Sequence, residues 1–258
     1  MKTLFSIVAF FITFQIIAQQ LDTLRYTVDG KPFMGFIARP DNITTATKTV
    51  LIVHEWWGLN EFPKKKAQQL ARGGFIAICL DMYGEGIIVD NPKEAGELAG
   101  EVYANSKVLF TRFYAGYQAA LKAKGVQKDK VAAIGFCFGG TVVLNVAKMG
   151  VDLDAIVSFH GGLQGLPLEK DRLKAAVLIC NGEADKFVSE EEIQKLGNEM
   201  DVNGADYTFI NYPEATHAFT NPFSTEVGKK FGIPIAYNEQ ADKDSYEDFL
   251  TFMKDKVK

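Results

Sequence analysis

The sequence predicts an α/β fold, a mostly parallel, twisted sheet with helices on both faces. Three observations predict it. Apolar runs of strand length, among them 49–53, 75–80 and 176–180, show no polar alternation, which marks strands buried on both faces. Stretches with helical spacing separate these runs, and helical crossovers between buried strands imply parallel pairing. The chain has 258 residues, 47% of them apolar, with no repeat, low-complexity segment or linker, so it suits one domain with one core.

Taken in order, 23–28 and 33–38 read as an opening hairpin around Asp29-Gly30, a turn dipeptide. Residues 40–49 are polar and loop-like, and 49–53 is a continuous apolar strand. Helical spacing over 61–72 ends at Gly73-Gly74, a helix stop. A buried strand follows at 75–80. Residues 91–124 read as a long helix broken at Gly96, Gly100 or Gly116. Then come a short strand (131–134), a helix (139–149) stopped by Gly150, and strands at 155–159, 176–180 and 207–210. Helices are expected at 190–200 and 235–256. In sheets of this kind ligands bind beyond the carboxyl ends of the strands.

The charge balance, 28 Lys+Arg against 32 Asp+Glu for a net −4, offers no basic face for nucleic acid. Lys64-Lys65-Lys66 reads as the solvated start of a helix. The N-terminus is distinctive. Met1-Lys2 precedes an apolar run from Leu4 to Ile17, and a small residue, Ala18, precedes Gln19-Gln20. This is the pattern of a secretory signal peptide, residues 1–18. The run is short for a membrane span, which needs about 20 apolar residues. We place cleavage after Ala18, leaving 19–258 as the mature domain, exported to the periplasm or the extracellular space with no stable membrane anchor. The competing reading is an uncleaved anchor.

Of the three cysteines, Cys79 and Cys180 lie in strand-like apolar runs and read as small core residues. Cys137 stands apart. Val131-Ala132-Ala133-Ile134 runs into Gly135-Phe136-Cys137-Phe138-Gly139-Gly140 and then a helix, the strand–turn–helix setting of a G-x-nucleophile-x-G elbow. The glycines leave room for a tight turn against neighbouring backbone. The helix N-terminus favours a thiolate, whereas the flanking Phe136 and Phe138 exclude water and disfavour charge. The bland alternative is a Gly-rich turn with an idle Cys.

A nucleophile needs a base, and the base an orienting group. In α/β-hydrolases the chain order is nucleophile, acid, His. Among His54, His160 and His217, that order excludes His54, which precedes Cys137. It also disfavours His160, which precedes the acid candidates, so His217 remains. The acid should follow a strand between Cys137 and His217. Asp185 and Glu183, just past 176–180, both qualify, and Asp185 could equally be a turn residue. The oxyanion hole needs two backbone N–H groups, one from Phe138 and one from the loop His54-Glu55-Trp56-Trp57-Gly58, where Trp56 is the expected donor. Trp57 could wall a pocket or merely pack the loop.

Jointly, His54-Glu55-Trp56-Trp57-Gly58, Leu80-Asp81-Met82-Tyr83-Gly84, the Cys137 elbow, Asn181-Gly182-Glu183-Ala184-Asp185 and His217-Ala218-Phe219 resemble the dienelactone hydrolase family, part of the α/β-hydrolase superfamily. The resemblance covers essentially the mature chain. It implies a Cys–His–Asp triad on Cys137, His217 and Asp185, and favours Asp185 over Glu183. It also implies that Glu55 modulates the thiol, since a carboxylate beside a thiol favours its protonated form. The alternative for Glu55 is a structural contact behind the site. Tyr83 and His160 are further candidates for the pocket or the thiol environment. One departure stands out. Family enzymes acting on dienelactone hold its carboxylate with arginines near the two segments that here read Gly84-Glu85-Gly86 and Thr220-Asn221-Pro222. Without that fork, a neutral or larger ester is at least as good an expectation as a small anionic lactone.

The expected activity is hydrolysis of a small carboxylic ester or lactone, with no metal or organic cofactor. Two readings of other classes stand beside it: a non-catalytic ligand-binding protein on the same fold, and a thiol redox protein using Cys137, which lacks an evident resolving Cys. The oligomeric state is not legible in the sequence.

Overall fold

The computed structural model describes residues 19–258; the expected signal peptide, 1–18, lies outside the described residues. Eight strands form one sheet. β1 (Leu21–Val28) and β2 (Lys31–Ala38) make the expected hairpin. They are followed by β3 (Thr49–Val53), β4 (Ile76–Leu80), β5 (Val131–Phe136), β6 (Ala155–Phe159), β7 (Ala176–Gly182) and β8 (Tyr207–Tyr212). The spatial order is β1-β2-β4-β3-β5-β6-β7-β8. β1–β2 and β2–β4 pair antiparallel, and every pair from β4 to β8 is parallel. The sheet is therefore mostly parallel, and β3 to β7 are buried at every residue.

Seven helices are described: α1 (Glu61–Arg72), α2 (Pro92–Tyr103), α3 (Ser106–Ala120), α4 (Phe138–Lys148), α5 (Glu190–Val202), α6 (Ser224–Phe231) and α7 (Glu239–Lys256). They cover both faces. Residues of α2 to α5 pack with Leu51, Val53, Ile156 and Ile179 on one side. Residues of α1 and α7 pack with Val50, Ile52, Val157 and Leu178 on the other. Neighbouring residues of one strand thus feed opposite cores, as a doubly covered sheet requires. No helix of the described residues is long and apolar enough to cross a membrane.

Three boundaries depart from expectation. The long helix over 91–124 is broken at Asn105, not at a glycine. The Asn105 side chain accepts hydrogen bonds from the N–H groups of Lys107 and Val108 and starts α3, while Gly96, Gly100 and Gly116 all lie inside helices. α6 is an additional helix. α7 begins at Glu239 instead of Ile235, because Asn238 caps the Ala241 N–H at 3.1 Å. Ile235 instead forms a parallel bridge with His217.

Candidate active site

β5 runs straight into α4 through Cys137, whose φ of 52° and ψ of −114° lie in a region that side chains seldom occupy. Such a backbone costs on the order of 1–3 kcal/mol and persists only where its surroundings enforce it. Here the Cys137 N–H is shared between the Phe159 carbonyl at 3.0 Å and His160 Nδ1 at 3.1 Å. Close packing explains two glycines of the elbow. A Cβ on Gly135 would run into the Gly139 carbonyl, and a Cβ on Gly139 into the Val53 and His54 carbonyls. The start of α4 is thereby seated against the end of β3, next to the loop that carries Trp56.

His217, on the loop after β8, and Asp185, on the loop after β7, meet at 2.7 Å between Nδ1 and Oδ2. Asp185 is held from its other oxygen, which accepts the Phe187 N–H at 2.8 Å. Its side chain is fully buried. Glu183 is exposed on the same loop, and the imidazole is bonded to Asp185 instead. The loop bearing His217 is tied down by the Ala236 N–H, which donates to the His217 carbonyl at 3.3 Å. Burial lowers the proton affinity of His217, but the charge of Cys137 and hydrogen bonds with Asp185 and Cys137 outweigh it, and the imidazole pKa is pushed up to about 10. Cys137 and His217 open onto one cavity of about 640 Å³, which Glu55, Trp56, Trp57 and Phe138 also line.

The two expected oxyanion donors flank this cavity. The Phe138 N–H opens α4, where helical N–H groups lack intrahelical partners. Among the described residues, neither it nor the Trp56 N–H is spent on a backbone carbonyl outside its own element. The Trp56 peptide is fixed from behind. The Tyr83 hydroxyl donates to the Trp56 carbonyl at 3.0 Å. Asp81 accepts the N–H groups of Met34, Tyr83, Gly84 and Gly86 and so shapes the loop that carries Tyr83. His54 accepts the Met82 N–H on Nε2, so its Nδ1 carries the proton and donates to the Glu55 carbonyl at 2.5 Å.

Two candidates take other places. Tyr83 is not on the cavity wall; it packs its ring on Phe138 with centroids 5.4 Å apart and supports the Trp56 loop. His160 also lies off the wall, fully buried behind Cys137 with φ 41°. Its Nδ1 accepts the Cys137 N–H, so Nε2 carries the proton and donates to Thr220 Oγ1 at 2.8 Å. Burial, reinforced by the charges of His217 and Lys66, holds its pKa well below the usual imidazole range.

Glu55 is buried against the cavity, and its Oε2 accepts the Asn221 Nδ2–H at 2.6 Å. Burial pushes its carboxyl up to about 7, only partly offset by the Asn221 bond and the charges of His217 and Lys66. Sequence reading noted Asn221 only as a position without an arginine; it did not find this contact. It also missed Phe187, whose ring covers His217 edge-on with centroids 5.0 Å apart. α6 carries Phe231, stacked beside Trp57 at 6.3 Å, and the segment after it supplies Ile233 and Ile235 to the cavity wall.

The model of the dienelactone hydrolase family matches residues 33–257. A putative carboxymethylenebutenolidase of Aquifex aeolicus is 31% identical over 204 residues, 77% of this chain and 86% of that protein. Protein usf of Aquifex pyrophilus is similar to the same degree. Among solved structures, a dienelactone hydrolase-like promiscuous phosphotriesterase from metagenomic libraries superposes with a TM-score of 0.85 at 29% identity, covering 93% of this chain and all of that one.

Proposed function

This chain belongs to the dienelactone hydrolase family and is a hydrolase of that type, and on that premise we propose that it cleaves carboxylic esters or lactones with Cys137 as nucleophile. The observation that carries the reading is the pairing of a cysteine at a left-handed strand–helix elbow with a buried His217–Asp185 couple on one cavity.

In this mechanism the proton of the Cys137 thiol passes to His217, whose raised pKa reflects the charge and hydrogen bonding of its two neighbours. Asp185 holds the tautomer that leaves Nε2 facing the sulfur. The sulfur attacks the carbonyl carbon, and the Phe138 and Trp56 N–H groups receive the developing oxyanion. The imidazolium returns the proton to the leaving alkoxide as the C–O bond breaks. Water then attacks the thioester carbon, losing its proton to His217; the C–S bond breaks, the acid product departs, and the imidazolium returns the proton to the Cys137 sulfur. No step asks for a metal or an organic cofactor. Cys137→Ala should lower kcat on p-nitrophenyl acetate by at least about 10⁴-fold, with an unchanged circular dichroism spectrum. Turnover by the variant at the wild-type rate would refute the assignment.

We also propose that residues 1–18 direct export and are removed after Ala18. N-terminal sequencing of the exported protein checks this, and a retained Met1 would overturn it.

A further inference from the structure

The composition of the cavity wall, beyond the reacting groups, bears on which substrates fit. At about 640 Å³ it sits within the range of about 300–1,000 Å³ typical of drug-sized ligands. Much of its wall is formed by carbon: Trp56, Trp57, Leu109, Phe187, Ile233 and Ile235. Two polar side chains on the wall are committed internally. Thr141 Oγ1 donates to the Gly162 carbonyl at 3.1 Å. Asn145 donates to the Thr141 carbonyl and accepts the Leu166 N–H, both at 2.8 Å.

Charge points the same way. The wall carries two carboxyl groups, Glu55 and Glu192, and no lysine or arginine. Burial of Glu192 is outweighed by hydrogen bonds from Ser189 and Gln164, which hold its carboxyl below the usual range, so it is anionic at neutral pH. Arg112 is engaged with Glu101 and the Met82 carbonyl, and Lys66 with Asp242; neither reaches the wall. His217 is the one basic side chain of the wall, and it sits at the reacting end.

We propose that the cavity selects uncharged esters with an extended apolar arm and discriminates against substrates that carry a carboxylate on that arm. The proposal rests on the hydrolase reading above and specifies its substrate class. A carboxylate on the arm would lose its hydration against carbon, would meet Glu192 at the rim, and would find no fork to bind. A methyl-terminated arm would shed water at roughly fourfold in affinity per buried methylene.

The test compares kcat/KM for p-nitrophenyl acetate, p-nitrophenyl hexanoate and mono-p-nitrophenyl adipate, each corrected for spontaneous hydrolysis. Hexanoate and adipate share chain length and differ in a terminal methyl or carboxylate. Hexanoate should exceed acetate at least tenfold, the four added methylenes setting a ceiling of about 250-fold. It should also exceed adipate at least tenfold, and Glu192→Gln should narrow that second ratio. Adipate turned over as fast as hexanoate, or acetate preferred to hexanoate, overturns the proposal while leaving the hydrolase reading intact. Absence of turnover on all three sinks the hydrolase reading. The selectivity is then read from protection of Cys137 against iodoacetamide by hexanamide and by adipamic acid: protection by hexanamide alone supports it, and equal protection overturns it.

Discussion

Replacing Asp185 by Asn probes the proposed catalytic couple with the least change in shape. The amide oxygen can keep the Phe187 N–H bond now made at 2.8 Å, so the loop should hold its place. The contact to His217 Nδ1, 2.7 Å and buried, loses its charge. A hydrogen bond to a charged group contributes about 1.5–3 kcal/mol, which converts to about 10- to 150-fold in rate. A second effect adds to it. An amide N–H facing Nδ1 would favour the tautomer with the proton on Nε2, the wrong one for taking a proton from sulfur, and in triads of this logic that reversal reaches about 10⁴-fold. Asp185→Asn should therefore lower kcat on p-nitrophenyl acetate by about 10² to 10⁴, with KM within a fewfold. The pH dependence of iodoacetamide alkylation should move as well, because Asp185 is one of the groups holding the His217 proton. Glu183→Gln, on the exposed neighbour, should stay within twofold of wild type. A folded Asp185→Asn protein retaining more than a third of wild-type kcat would refute the role given to the couple.

Glu55 has a folded-state pKa of about 7 against 4.5 for the free group, chiefly through burial. Its contribution to stability is thus fully present below about pH 4.5 and lost as pH rises through 7, at most about 3 kcal/mol. Glu55→Gln should flatten the fall in unfolding free energy between these limits and exceed wild type at pH 8 in urea titrations; parallel curves would count against the burial argument. Tyr83→Phe removes the bond to the Trp56 carbonyl, worth about 1 kcal/mol, and should lower kcat about fivefold with KM little changed, measured by steady-state kinetics. Gly139→Ala drives a Cβ into the Val53 and His54 carbonyls and should destabilise by about 1–3 kcal/mol or more, seen as an earlier urea midpoint.

The strands and the positions of Cys137, Asp185 and His217 were legible for a related reason. Buried parallel strands need uninterrupted apolar runs, and Cys137 and Asp185 each follow one, whereas His217 follows β8, the half-buried edge strand. What stayed hidden depends on contacts between distant residues. Gly96, Gly100 and Gly116 look like breakers but are absorbed within helices, whereas Asn105 ends one helix and starts another through a cap that residue type alone does not announce. α6 escaped notice because it is eight residues long and contains Gly228, Lys229 and Lys230 on a short amphipathic stretch. His160 and Tyr83 have the right chemistry for a pocket, but side-chain direction decides. A φ of 41° turns the His160 position behind Cys137, and a hydroxyl bond 27 residues back in sequence commits Tyr83 to the Trp56 loop. The Glu55–Asn221 contact spans 166 positions, beyond any local pattern.

That contact joins two features of the site which otherwise look separate. An arginine beside Glu55 would favour the ionised carboxylate and draw its pKa down. The Asn221 amide offers one hydrogen bond without a charge, so burial prevails and the carboxyl gains a proton near neutrality. The same residue places no cation behind Glu55. The missing cation behind Glu55 and a carboxyl that is partly neutral at pH 7 therefore share one origin. Both reduce the net charge that an uncharged ester must meet on entry, and a buried apolar cavity favours such a ligand in proportion to how little charge it has to desolvate.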